Sequence, residues 1–128
     1  MAQFLSPEWI SDLDASAEAL DVPSGLQLVV QQIVSDGDAR EVSYVIEIGE
    51  GRVQVRPGRV EGADITFAQD RATAEAIARG EISAQEAFLA GRLRVGGDLR
   101  AVMDRSRELA AVSDVFASAR AATTWSGT

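Results

Sequence analysis

A chain of 128 residues, 46% of them hydrophobic and 25% charged, suits one domain with a single core, and folding at that length buries roughly two-thirds of the unfolded surface. There is no cysteine and no histidine, and all twelve basic residues are arginine. This excludes disulfides, thiol chemistry, the Ser-His-Asp triad, histidine zinc sites, Schiff-base lysines and the lysine of a Walker phosphate loop.

The net charge of −8 is unevenly spread: residues 1–51 carry Arg40 against ten acids, −9, and residues 52–128 carry eleven arginines against ten acids, +1. A surface that acidic repels nucleic acid, whose binding rests on phosphate neutralisation, so no nucleic-acid partner is expected. Arginine in every basic position beside abundant alanine has the signature of a high-GC bacterial coding sequence. The opening MAQFLSPEW lacks a basic leader followed by an apolar run, and no apolar stretch nears the roughly 20 residues that span a bilayer. The expectation is a soluble, cytoplasmic, single-domain protein over residues 1–128, since no repeat, low-complexity tract or linker divides the chain.

The first element starts at Ser6-Pro7, an N-cap followed by proline at the first helical position, and Ile10, Leu13, Ala17 and Leu20 recur at helical spacing. Val22-Pro23-Ser24-Gly25 closes it. Leu26, Leu28, Val30 and Val34 then alternate with other residues, Ser35–Asp38 reads as a hairpin turn, and Val42, Tyr44, Ile46 and Ile48 alternate again, which predicts an antiparallel pair with one buried face. Gly49-Glu50-Gly51 turns into a short strand with Val53 and Val55, which Pro57-Gly58 ends. A fourth strand, Asp64–Ala68, points Ile65 and Phe67 the same way.

From Asp70 the period changes from two to nearly four. Asp70 caps a helix that ends at Gly80, and Ser83-Ala84-Gln85-Glu86 is a capping box for a second short helix. The following stretch, QEAFLAGRLRVGGDL, has the glycine spacing of a phosphate loop at Gly91 and Gly96. Gly97-Asp98, however, stands where Lys-Ser/Thr is required, and an aspartate there repels phosphate. The residues fit a structural reading instead: Gly91 stops the helix, Leu93 and Val95 face the core with Arg92 and Arg94 in water, Gly96-Gly97 turn the chain and Asp98 caps the next helix. That amphipathic segment carries Leu99, Val102, Met103, Leu109, Val115, Phe116 and Ala119 as its stripe, with a second start at Ser113-Asp114.

The run GADITFAQDRATAEAIARGEISAQEAFLAGRLRVGGDL, residues 62–99, resembles the sterol carrier protein 2 family through Ala63, Asp64, Thr66, Gly80, Ala87, Phe88, Gly91, Arg92, Leu93, Arg94, Gly97 and Asp98. VSYVIEIGEGRVQVRPG and WISDLDASAEAL resemble the family's earlier strand-turn-strand and leading helix in pattern. The resemblance implies a bacterial stand-alone member with an α+β fold: a five-stranded, mainly antiparallel sheet with about five helices over one face, enclosing a hydrophobic tunnel. It further implies carriage of an apolar small molecule, a lipid, fatty acid, acyl-CoA or sterol-like ligand, without catalysis, cofactor or metal.

Alanines at 74, 76, 78, 84, 87, 90 and 101 leave room in such a tunnel, although alanine is also the best helix former. The candidate lining is Tyr44, Ile46, Phe67, Ile77, Phe88, Leu89, Leu99, Val102 and Met103, with Met103 suited to varied apolar shapes and Tyr44 to a ligand hydroxyl or carboxyl. Trp9 and Trp125 are candidates to cover an opening or to pack. Arg92, Arg94, Arg100, Arg105 and Arg107 form either a solvated basic edge or a transient contact for an anionic head group, membrane or enzyme. Two further readings remain open: a small enzyme using Asp64 or Asp98 as acid or base on a hydrophobic substrate, and an interaction module marked by an exposed apolar face along residues 99–119.

Overall fold

The computed structural model describes residues 2–20, 22–37, 40–97, 100, 104–120 and 123–125. In chain order the elements are β1 (Ala2–Gln3), α1 (Pro7–Glu18), β2 (Leu28–Ser35), β3 (Glu41–Gly49), β4 (Arg52–Pro57), β5 (Ile65–Asp70), α2 (Arg71–Arg79), α3 (Ala84–Leu89), β6 (Leu93–Gly97), α4 (Ser106–Ala119) and β7 (Thr123–Thr124). The fold is α+β, with a five-stranded sheet and, among the described residues, four helices.

The helix ends follow from short-range chemistry. Ser6 Oγ accepts from the Trp9 amide at 3.1 Å with Pro7 beside it, and Asp70 Oδ1 accepts from the Thr73 amide at 2.8 Å. These hydrogen bonds to Thr73 hold the Asp70 carboxyl below the usual carboxylate range. Ser83 and Glu86 form a reciprocal capping box, and left-handed glycines follow α2 at Gly80 and α3 at Gly91. The amphipathic segment does not restart at Ser113-Asp114. Both residues are exposed on the outside of a continuous α4, and the interruption lies at Arg105, whose φ of −106° and ψ of 31° leave the helical region. The Asp98 cap lies outside the described residues.

The sheet order is β4-β3-β2-β5-β6, antiparallel except for the parallel pair β2–β5. Alternation puts Leu28, Val30 and Val34, then Tyr44, Ile46 and Ile48, Val53 and Val55, Ile65 and Phe67, and Leu93 on one buried face. Over it, α1 lies against β4 and α4, α2 against β5 and α4, and α3 beside β6. On the opposite face Val45 is also buried, 1% exposed, because the chain after β4 folds back across it. The Val60 amide donates to Gln31, the partner of Val45 in register, and Arg59 reaches Ser43 and Glu41 on β3.

The first and last described strands form a small parallel pair, β1–β7, which the alternation pattern does not announce. Trp9 pins it: its indole N–H donates to Thr123 Oγ1 at 3.1 Å, Thr123 Oγ1 donates to the Ala119 carbonyl, and the ring meets Phe4 edge-on at 4.8 Å and Tyr44 at 5.6 Å. Trp9 therefore packs in the core, while half-buried Trp125 lies against Phe4 and under the Arg79 guanidinium.

Gly97 pairs with Ile65 at φ +107°, and a Cβ there would sit 2.7 Å from the Asp64 carbonyl oxygen; at Gly96 the nearest contact would be an ordinary 3.5 Å. Gly97→Ala is expected to cost about 1–3 kcal/mol from strained backbone and the clash, and Gly96→Ala at most about 1 kcal/mol. Urea unfolding of the two variants measures the difference; equal stabilities would contradict the assigned backbone.

Candidate functional site

Strand register brings three of the sequence-derived candidates onto the helix-facing side of the sheet. Tyr44, Gln32, Phe67 and Val95 form one cross-strand row, and Val55, Ile46, Val30 and Ile65 form the next. Tyr44, Ile46 and Phe67 are buried, and Ile77 of α2 packs partly buried against the same core. The buried alanines of α2 and α3, Ala74, Ala78 and Ala87, bring only methyl groups to the same core.

Phe88 and Leu89 are placed differently: they are 42% and 75% exposed, and Ala87 is the buried position of α3. Leu99, Val102 and Met103 lie outside the described residues. Of the arginines beside them, Arg92 and Arg94 are exposed, in keeping with the alternation that buries Leu93.

Three polar groups interrupt the apolar face, and two of them are not singled out by the sequence reading. Gln69 Nε2 donates to Gln32 Oε1 at 2.8 Å, both side chains being buried. The signal is present in the strand pattern, because Gln32 occupies the inward position between Val30 and Val34, and Gln69 the inward position after Ile65 and Phe67. Tyr44, across from Gln32 and 2% exposed, is the third. Burial pushes its hydroxyl far above the ordinary tyrosine range.

Two open cavities border the helices. One of about 280 Å³ lies between α2, the turn after it and α4, lined by Ile77, Ile82, Ala84 and Phe116 with Glu81, Glu86 and Arg120 at its rim. Arg120 is held there by its Nε bond to the Ala78 carbonyl. The other, about 450 Å³, is a polar groove between α1 and β4, where Asp14 caps the edge strand by accepting from the Val55 amide. Neither is an enclosed apolar tunnel. Among the described residues no group of three metal-binding side chains comes together.

Of the two aspartates behind the enzyme reading, Asp98 lies outside the described residues and Asp64 has a structural placement. Asp64 is exposed, and its Oδ2 accepts from the Val29 amide at 2.8 Å, so its carboxylate joins β5 to β2. On α4 the apolar stripe is covered, with Val112, Val115, Phe116 and Ala119 buried and Leu109 packed against the core.

The sequence matches the model of the SCP-2 sterol transfer family over residues 10–109, from α1 into α4. Solved structures share the fold, among them the following three. A crystal structure of sterol carrier protein 2 is 18% identical with a TM-score of 0.72, over 92% of this chain and 98% of that one. The solution structure of a conserved hypothetical protein from Thermus thermophilus, described as possibly a sterol carrier protein, is 17% identical with a TM-score of 0.72, over 97% of this chain and 92% of that one. Palmitated sterol carrier protein 2 like 2 from Aedes aegypti is 19% identical with a TM-score of 0.61, over 81% of this chain and 93% of that one. No curated protein matches the sequence.

The buried amide pair makes a stability prediction that needs no ligand. Gln69→Leu removes the donor to Gln32 Oε1 and is expected to cost about 1–3 kcal/mol, whereas replacing Gln32 and Gln69 together by leucine is expected to recover most of the loss. Urea unfolding of the single and double variants measures the coupling; purely additive losses would contradict it.

Proposed function

The chain belongs to the SCP-2 sterol transfer family, and from that premise we propose that it is a non-enzymatic cytoplasmic carrier, one domain over residues 1–128, that binds an apolar small molecule between its sheet and its helices. The observation that carries this reading is the extent of the family match, which spans the sheet and the helices packed on it. The ligand lies against the helix-facing row that includes Phe67 and Val95, beneath Ile77 and the alanines of α2. Exposed Phe88 and Leu89 sit at the rim, where they meet the ligand during entry.

The energetics suit a carrier of low selectivity. Burying a methylene group is worth roughly 0.8 kcal/mol, so a dozen contribute on the order of 10 kcal/mol before an association cost of at least several kcal/mol. Useful affinity then needs few polar contacts, and chain length and width set the preference. Transfer to a membrane or an enzyme is a transient encounter, for which the exposed Arg92 and Arg94 beside Phe88 and Leu89 are the contact we assign. Among the described residues no helix is long and apolar enough to cross a membrane.

Native mass spectrometry of the purified protein, followed by organic extraction, tests the proposal. The expected result is a fraction of the protein carrying a co-purified apolar molecule, and, after delipidation, saturable one-to-one binding of the neutral fluorophore N-phenylnaphthylamine. No extractable lipid together with no probe binding would overturn it.

A further inference from the structure

Among the described residues two large apolar side chains stay exposed, Phe88 at 42% and Leu89 at 75%, and they are neighbours at the C-terminal end of α3. A lone exposed leucine is ordinary, whereas an adjacent pair at the end of one short helix makes an apolar projection. A cation is fixed beside it. Arg92 is exposed, and its amide donates to the Ala87 carbonyl at 2.9 Å in the turn that ends α3.

The other end of the same helix borders the cavity of about 280 Å³ between α2 and α4. Ala84, in the first turn of α3, lines that cavity with Ile77, Ile82 and Phe116, and Glu81 and Glu86 stand exposed at its rim. Glu86 gives one carboxylate oxygen to the Ser83 amide and Glu81 lies 4.0 Å from Arg79, so both charges remain at the surface. Arg120 shares the rim, but its Nε is turned to the Ala78 carbonyl. Ala84 and Phe88 are four residues apart and therefore lie one turn from each other on one face of α3. That face thus carries an apolar recess beside two carboxylates and, next to it, an apolar projection beside a guanidinium.

We propose that this face pairs with the same face of a second copy of the chain about a twofold axis, with Phe88 and Leu89 of one protomer entering the recess of its partner and Arg92 meeting the partner's Glu81 and Glu86. A twofold contact is self-complementary, so a projection and a recess of opposite charge on one face are both satisfied, twice over, when the two α3 helices run antiparallel. An anionic lipid surface fits only half of the face. It would attract Arg92 and take up the apolar pair, but it would repel Glu81 and Glu86 and leave the recess unfilled. A face built on six helical residues and one small recess lies below the roughly 1,200 Å² at which stable interfaces begin, so the pairing is weak and concentration-dependent. The pairing itself needs no ligand. Under the carrier reading above, it closes the patch assigned to entry and transfer, which leaves exchange to the monomer.

Sedimentation equilibrium of the purified protein between about 10 μM and 1 mM tests the pairing, over the range expected of a small interface. Wild type is expected to shift from monomer towards dimer across this range, and less so in high salt. Leu89→Ser, at a position exposed enough to leave thermal unfolding unchanged, is expected to weaken the dimer at least about tenfold. Arg92→Glu and Glu81→Arg are each expected to stay monomeric when alone and to form a dimer when mixed, because the mixture restores an opposite-charge pair at both ends of the interface. Rescue in the mixture separates pairing between chains from an effect within one chain. A wild type that remains monomeric at 1 mM, a dimer indifferent to Leu89→Ser, or a mixture no better associated than its components would each overturn the inference. So would a monomer that binds phosphatidylglycerol vesicles through Leu89, which would give the patch to a membrane instead. The carrier reading survives any of these results, since probe binding measures it separately.

Discussion

The parallel pairing of β2 with β5 holds the sheet, and through it the helical layer, in place. It is the one parallel seam of an otherwise antiparallel five-stranded sheet, and it joins segments that the β3–β4 hairpin separates along the chain. Unlike the hairpins it has no tight turn to fix its register. Side chains do that instead. Asp64 accepts from the Val29 amide while its own amide donates to the Val29 carbonyl, Gln31 reaches Thr66, Gln69 reaches Gln32, and Ser35 donates to the Gln69 carbonyl. A one-residue slip would lose these bonds and turn Phe67 from the core face to the outer face. The corner where β6 joins is equally specified, since Gly97 passes too close to the Asp64 carbonyl for any side chain.

This seam gives the motif residues of the family resemblance a physical meaning. Asp64, Thr66 and Gly97 all act in strand registration, and Gly91 and Gly80 end helices. These five motif residues are therefore scaffold. The polar exceptions on the helix-facing side, Gln32, Gln69 and Tyr44, cluster next to that seam. The Gln32–Gln69 bond serves registration, tying β2 to β5 side chain to side chain.

Much of the fold is legible in the sequence because the interactions concerned are local. Caps at Ser6, Asp70 and Ser83 bond residues three positions away, and strand parity follows from every second residue, so alternation alone puts Tyr44, Ile46 and Phe67 on the face where the register places them. Contacts across long sequence separations are not legible: the parallel seam, the β1–β7 pair and the burial of Val45 each depend on where a distant segment returns. In six-residue α3 no period is long enough to orient the helix, and the alanine rather than the neighbouring phenylalanine takes the buried position. Gln32 is legible in principle, as a polar residue at an inward position, but its partner lies 37 residues away.

Carriage of the proposed kind requires the ligand to lie against the helix-facing row of the sheet rather than in either surface groove. Isotope-filtered NOE measurements on the protein loaded with carbon-13-labelled dodecanol test this directly. Contacts are expected from the alkyl chain to Phe67, Val95 and Ile77, and none to Thr66, Ala68 or Arg94 on the opposite face. Contacts confined to that opposite face, or to Arg52, Gln54 and Arg56 in the groove beside α1, would contradict it.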